Sequence, residues 1–152
     1  MEQTQHLKPC SESRDLINDA NIEALRREIK LAKEESQGSG LIAVNVMKAV
    51  SEYAQYVKCS LENGADMIVV GAGLPLDLPD LASDYPDVLL VPILSEARGV
   101  QLLVKKWMKK GRLPDACWVW WRCGDGGHGS RMGLRHINPL PSAPCRSLRW
   151  LG

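Results

Sequence analysis

The sequence predicts an α/β fold, a parallel sheet covered by helices, over residues 15–116. Three observations carry this. Short runs such as Leu41-Ile-Ala-Val-Asn-Val46 and Met67-Ile-Val-Val70 are apolar throughout, the mark of strands buried on both faces. Stretches with apolar residues at helical spacing alternate with them. Glycine, proline and asparagine stand at the junctions. The units recur about every 25 residues, so the connections are expected to be right-handed crossovers.

In chain order, residues 21–37 read as a helix. Ile22, Leu25 and Ile29 share one face, Asp19 or Asn21 offers a cap, and Gly38-Ser-Gly40 stops it. Residues 41–46 form a strand. Ser51 caps a second helix to Glu62, with Ala54, Val57 and Leu61 inward, and Asn63-Gly64 ends it in a left-handed turn. Residues 65–70 are the next strand. A loop rich in Pro, Leu and Asp follows, with a short helical turn expected over 78–83. Residues 88–92 are a third strand. Ser95 caps a third long helix, in which Val100, Leu103 and Trp107 line one face and Gly111 ends it. Leu113-Pro-Asp-Ala116 leads into a fourth strand.

Composition changes near Ala116. Residues 1–116 carry 14 Lys and Arg against 17 Asp and Glu, whereas residues 117–152 carry five Arg against one Asp. The second stretch also holds four of the five Trp and three of the five Cys. The organisation is therefore a polar segment over 1–14, the β/α units over 15–116 and an irregular C-terminal tail over 117–152, expected to be poorly ordered. Pro139, Pro141 and Pro144 exclude a long helix there. The tail's bias is that of a GC-rich reading frame out of phase, so another frame is expected to encode further β/α units. A net charge of +1 advertises neither nucleic acid nor anionic membrane. No apolar run reaches the roughly 18 residues a bilayer requires. Five cysteines without a disulfide framework favour a reduced, cytoplasmic setting.

In parallel β/α folds ligands bind at the C-terminal ends of strands, which selects the candidate residues. Asn45, closing the first strand, could hydrogen-bond a planar heterocycle or tie down the next loop. Gly71 and Gly73 end the second strand, where glycine admits a ligand close to the backbone or makes a tight turn. Their spacing to a following helix is not that of a dinucleotide fold. Ser95 ends the third strand and is also the expected helix cap. Gly126-Gly127-His128 would follow the fourth strand. A histidine there could act as a general base near neutral pH, or the stretch could be a plain loop. Cys117, Cys123, His128, His136 and Cys145 match no zinc spacing, so no metal site is assigned. The interleaved Arg and Trp of the tail lack the periodic face of a single-strand binder.

Several segments resemble the nitronate monooxygenase (2-nitropropane dioxygenase) family in order and spacing. They are Asn21-Ile-Glu-Ala-Leu-Arg-Arg-Glu-Ile-Lys, Leu41-Ile-Ala-Val-Asn-Val-Met47, Asn63-Gly-Ala-Asp-Met-Ile-Val-Val-Gly-Ala-Gly-Leu-Pro-Leu-Asp-Leu-Pro79, Val91-Pro-Ile-Leu-Ser95, and Lys105-Lys-Trp through Gly111-Arg-Leu-Pro-Asp-Ala116. The resemblance implies part of a (β/α)8 TIM barrel, about half of it, truncated at both ends. Two strands at the start and the last two β/α units, which hold the cofactor phosphate, have no counterpart. A whole barrel takes about 250 residues.

The resemblance also implies FMN as cofactor and oxidation of nitronates or nitroalkanes with O2. Asn45 would contact the flavin, and Gly71, Gly73, Ser95, Gly126 and Gly127 would line its pocket. His128 would be the catalytic base that takes the α-proton of a nitroalkane. The chain is expected to bind FMN weakly or not at all, because the phosphate-holding units are missing. The alternatives are a non-catalytic barrel remnant that self-associates through open edges, and a fragment like the enoyl-ACP reductase II flavoenzymes.

Overall fold

The computed structural model describes residues 10–119. Within them run α1 (Cys10–Ser36), β1 (Ala43–Met47), α2 (Tyr53–Glu62), β2 (Met67–Gly71), α3 (Leu78–Leu81), β3 (Leu89–Leu94), α4 (Ala97–Met108) and β4 (Trp118–Val119). All strand pairs are parallel, and the sheet order is β1-β2-β3-β4. Asn45 pairs with Val69, Val70 with Pro92, and Ile93 with Trp118. The expected mixed α/β architecture with a parallel sheet is therefore present. Each strand is added beside its predecessor, and the order never reverses as it does in a doubly wound sheet.

Alternation along the strands decides which face meets the helices. Val46, Ile68, Val70, Leu90 and Leu94 join one buried cluster with Tyr53, Val57 and Leu61 of α2 and Leu103 and Trp107 of α4. Trp107 is fully buried, and its indole N–H donates to the Pro75 carbonyl oxygen at 3.1 Å. That bond satisfies a polar edge which would otherwise be stranded in the core. It also ties α4 to the segment after β2. The odd-numbered residues of β1, β2 and β3 face away from the helices. Val69 and Val91 are buried there too, as strands inside a parallel sheet require.

Two aspartates fasten the N-terminal ends of the strands. Asp66 accepts the Ile42 N–H at 2.8 Å through one carboxylate oxygen and the Lys33 ammonium at 2.8 Å through the other. Asp115 accepts the Leu90 N–H at 2.8 Å, and the Arg112 guanidinium lies 3.8 Å away. The first pair joins the start of β1 to β2, and the second joins β3 to β4. Each carboxylate meets a backbone donor at a strand start, a site otherwise left to solvent.

Several expectations need correction. α1 begins at Cys10, not near Asn21, so Asp19 and Asn21 lie inside the helix rather than capping it. No glycine or proline occurs between Cys10 and Gln37, and nothing local breaks the helix. Ser51 and Ser95 are not caps either. The N-caps are Glu52 and Glu96, and neither makes a side-chain cap bond. Before α2 the backbone already turns, with the Tyr53 N–H donating to the Val50 oxygen, so no side chain is needed. The strands end later than read: at Met47, Gly71 and Leu94. The helix stops hold, since Gly38, Gly64 and Gly111 all have positive φ. The expected poorly ordered tail over 117–152 is described only at its start, where Cys117 is buried and Trp118–Val119 forms β4; residues 120–152 lie outside the described residues.

Candidate functional site

A half-open cleft of about 420 Å³ lies at the C-terminal ends of β2 and β3. One wall is Ala72, Gly73 and Leu74, from the segment after β2. The other is Ile93, Leu94, Ser95, Glu96 and Gly99, from the end of β3 and the first turn of α4. Volumes of about 300–1,000 Å³ are usual for small-molecule sites. The lining is largely apolar, with the Ser95 hydroxyl and the Glu96 carboxylate as its polar side chains.

The sharp bend after β2 shapes the first wall. Ala72 has φ 54 and Gly73 has φ 148. Ala72 is a left-handed non-glycine residue, a conformation that persists only when its surroundings hold it. At Gly73 a Cβ atom would stand 3.0 Å from both Cβ and Cγ of Lys48. Glycine is therefore favoured by conformation, and any larger residue would also have to push the Lys48 side chain aside. Gly71, just below, packs against Ile93: a Cβ there would stand 3.3 Å from Cδ1 of Ile93.

Of the residues selected from sequence, Gly73 and Ser95 come together in this cleft. Gly71 lies directly beneath it, in contact with Ile93, a lining residue. Asn45 is exposed in the middle of β1, on the sheet face away from the helices, and does not line the cleft. It pairs with Val69, two residues before Gly71. Gly126, Gly127 and His128 lie outside the described residues. Sequence reasoning missed Ala72, Leu74, Ile93, Leu94, Glu96 and Gly99. Ile93 could have been found by continuing the third strand's alternation past Pro92. Gly99 carries no local signal, because only the approach of α4 to β3 brings it to the cleft.

A second polar cluster flanks the bend. The Lys48 ammonium donates to both carboxylate oxygens of Asp77, at 2.8 and 2.7 Å, and sits 4.0 Å from the centre of the Tyr53 ring. Tyr53 is 3% exposed, and its hydroxyl has no hydrogen-bond partner among the described residues. Burial, and secondarily the Asp77 charge, push its phenol well above the ordinary tyrosine range. Burial likewise raises the thiols of Cys59 and Cys117. Among the described residues no group of three or more His, Cys, Asp or Glu could hold a metal ion. No helix among them is long and apolar enough to cross a membrane.

In comparisons with known proteins, no family model matches the chain and no curated protein matches it significantly.

Proposed function

We propose that the chain is part of a (β/α)8-barrel flavoprotein of the nitronate monooxygenase type, an oxidoreductase acting on nitronates or nitroalkanes with O2. The observation that carries the reading is the meeting of Gly73 and Ser95 in one cleft at the C-terminal ends of adjacent parallel strands. Both residues belong to the segments that resemble the family. The uninterrupted order β1-β2-β3-β4 supports a barrel wall over a doubly wound sheet.

The residues present suit one flank of a flat ring with polar edges. Leu74, Ile93 and Leu94 give apolar surface, Ser95 a hydroxyl, and Gly73 a backbone that a ligand can approach closely. FMN, when bound, supplies a two-electron acceptor. By the resemblance, Asn45 would add an amide contact, Gly126 and Gly127 would complete the lining, and His128 would take the substrate's α-proton.

Titration of the chain with FMN, followed by flavin fluorescence, tests this reading. Weak binding or none is expected of the chain as it stands, and any binding should be lost in Gly73→Leu, whose side chain would collide with Lys48 and distort the cleft wall. Turnover of propyl nitronate should fall in His128→Ala. Absence of FMN from a chain completed with the missing upstream strands and the further β/α units would remove the flavin reading.

The rival reading, a barrel remnant that associates with other chains, has an observation of its own. β1 pairs only with β2 among the described residues, and Met47 on it is 56% exposed. An open parallel edge with an apolar face favours association. Sedimentation of the chain across a concentration series separates the two readings.

A further inference from the structure

One residue brackets the whole segment that forms the first wall of the cleft. Lys48, the residue after β1, donates its backbone N–H to the Gly71 oxygen at 2.8 Å. Its ammonium donates to both oxygens of Asp77. Gly71 and Asp77 are the two ends of the bend, so a single residue spans it. Between them, Cβ and Cγ of Lys48 lie against Gly73, at the place a side chain would occupy.

Asp77 is also committed to this contact. It stands at the N-cap of α3, where an aspartate commonly accepts backbone N–H groups, yet it makes no side-chain cap bond. Both its oxygens go to Lys48. The Tyr53 ring beneath the ammonium adds a cation–π contact and limits where it can move. The left-handed Ala72 lies inside the bracketed stretch, a strained residue of the kind that needs outside support.

We propose that Lys48 is a positioning residue, a staple that holds the Gly71–Asp77 segment in the shape that makes Ala72, Gly73 and Leu74 one wall of the ligand cleft. The proposal rests on the reading of that cleft as a ligand site. The Lys48 and Asp77 side chains are 27% and 45% exposed. A pair so placed adds little to global stability, so its effect is local, on the shape and opening of the loop.

The test uses the full chain and three variants. Lys48→Met keeps the stem over Gly73 and removes the charge. Asp77→Asn weakens the partner. Lys48→Arg can restore a two-pronged contact to Asp77 and stack on Tyr53. Native-state amide exchange should show the loop's hydrogen-bonded amides, Leu76 donating to the Leu74 oxygen and residue 48 donating to the Gly71 oxygen, exchanging roughly threefold to tenfold faster in Lys48→Met and Asp77→Asn. Amides of α2 and α4 should be unchanged, and Lys48→Arg should return the loop toward wild type. FMN affinity should fall by a similar factor in the first two variants and recover in the third. Unchanged loop exchange, or equal acceleration everywhere, would overturn the staple. So would undiminished FMN affinity in a variant whose loop has loosened. If the wild-type chain binds no FMN, the exchange result alone decides the staple, and the flavin reading is decided separately on the completed chain.

Discussion

Gly71 faces Ile93 across β2 and β3 with less room than a methyl group ordinarily has: a Cβ on Gly71 would lie 3.3 Å from Cδ1 and 3.4 Å from Cβ of Ile93. Gly71→Ala therefore requires Ile93 to give by a few tenths of an ångström and is expected to destabilise mildly, by about 1 kcal/mol or less. Ile93→Val removes the Cδ1 atom nearest the clash. The double variant should be less destabilised than the sum of the two single changes. Urea unfolding of the four proteins measures this, and strict additivity would mean that the two residues do not press on one another.

Tyr53 should be better off without its hydroxyl. The oxygen is buried and has no partner among the described residues, and stranding such a group costs about 1–3 kcal/mol. Tyr53→Phe keeps the ring under Lys48 and is expected to stabilise the chain by about 1 kcal/mol. The phenol's folded pKa is raised, first by burial and then by Asp77. The folded state therefore holds its proton where the unfolded state has lost it. This contribution is fully present below the ordinary tyrosine value of about 10 and declines above it. Wild type should lose stability from about pH 10 upward more steeply than Tyr53→Phe. Parallel thermal-melt curves across that range would contradict the assignment.

Asp66→Ala and Asp115→Ala should each destabilise by about 1–3 kcal/mol, because each leaves a strand-end N–H without its acceptor. Asn at either site retains an oxygen and should cost less. The amides of Ile42 and Leu90 are the direct readout: each should lose exchange protection in the variant of its own aspartate and keep it in the other.

Cys59 and Cys117 are buried, and burial is the largest cause raising both thiols. Less thiolate and less access both slow alkylation. In native protein at pH 8 the two should react much more slowly than in urea-unfolded protein. Rapid native labelling at Cys59 would show that α1 lifts away from α2, since the Cys59 thiol otherwise meets the Ile22 carbonyl oxygen at 3.7 Å.

The element order was legible because the strands are short apolar runs and the helices have one inward face. Val57, Leu61, Leu103 and Trp107 were all placed inside correctly from spacing alone. The start of α1 was not legible. Leu16 and Ile17 remain 55% and 59% exposed, so no packing pattern marks the helix there, and Asp19 and Asn21 imitate a cap. Ser51 and Ser95 misled for a related reason, as serine offers a cap whether or not the backbone needs one. At the cleft, Gly73 and Ser95 could be found because they stand at strand ends. Lys48 and Asp77 could not, because they are 29 residues apart and nothing local to either announces the other.

The two aspartate ties lie where the strands begin, and the cleft lies where they end. This separation has a consequence for how the chain can change. The carboxylates of Asp66 and Asp115 hold neighbouring strands in register without touching any group at the opening. Leu74, Glu96 and Gly99, in turn, face the opening without taking part in those ties. Substitutions at the rim can thus alter what enters while the sheet stays fastened from below. A lineage could explore new ligands at one end of the molecule on a scaffold secured at the other.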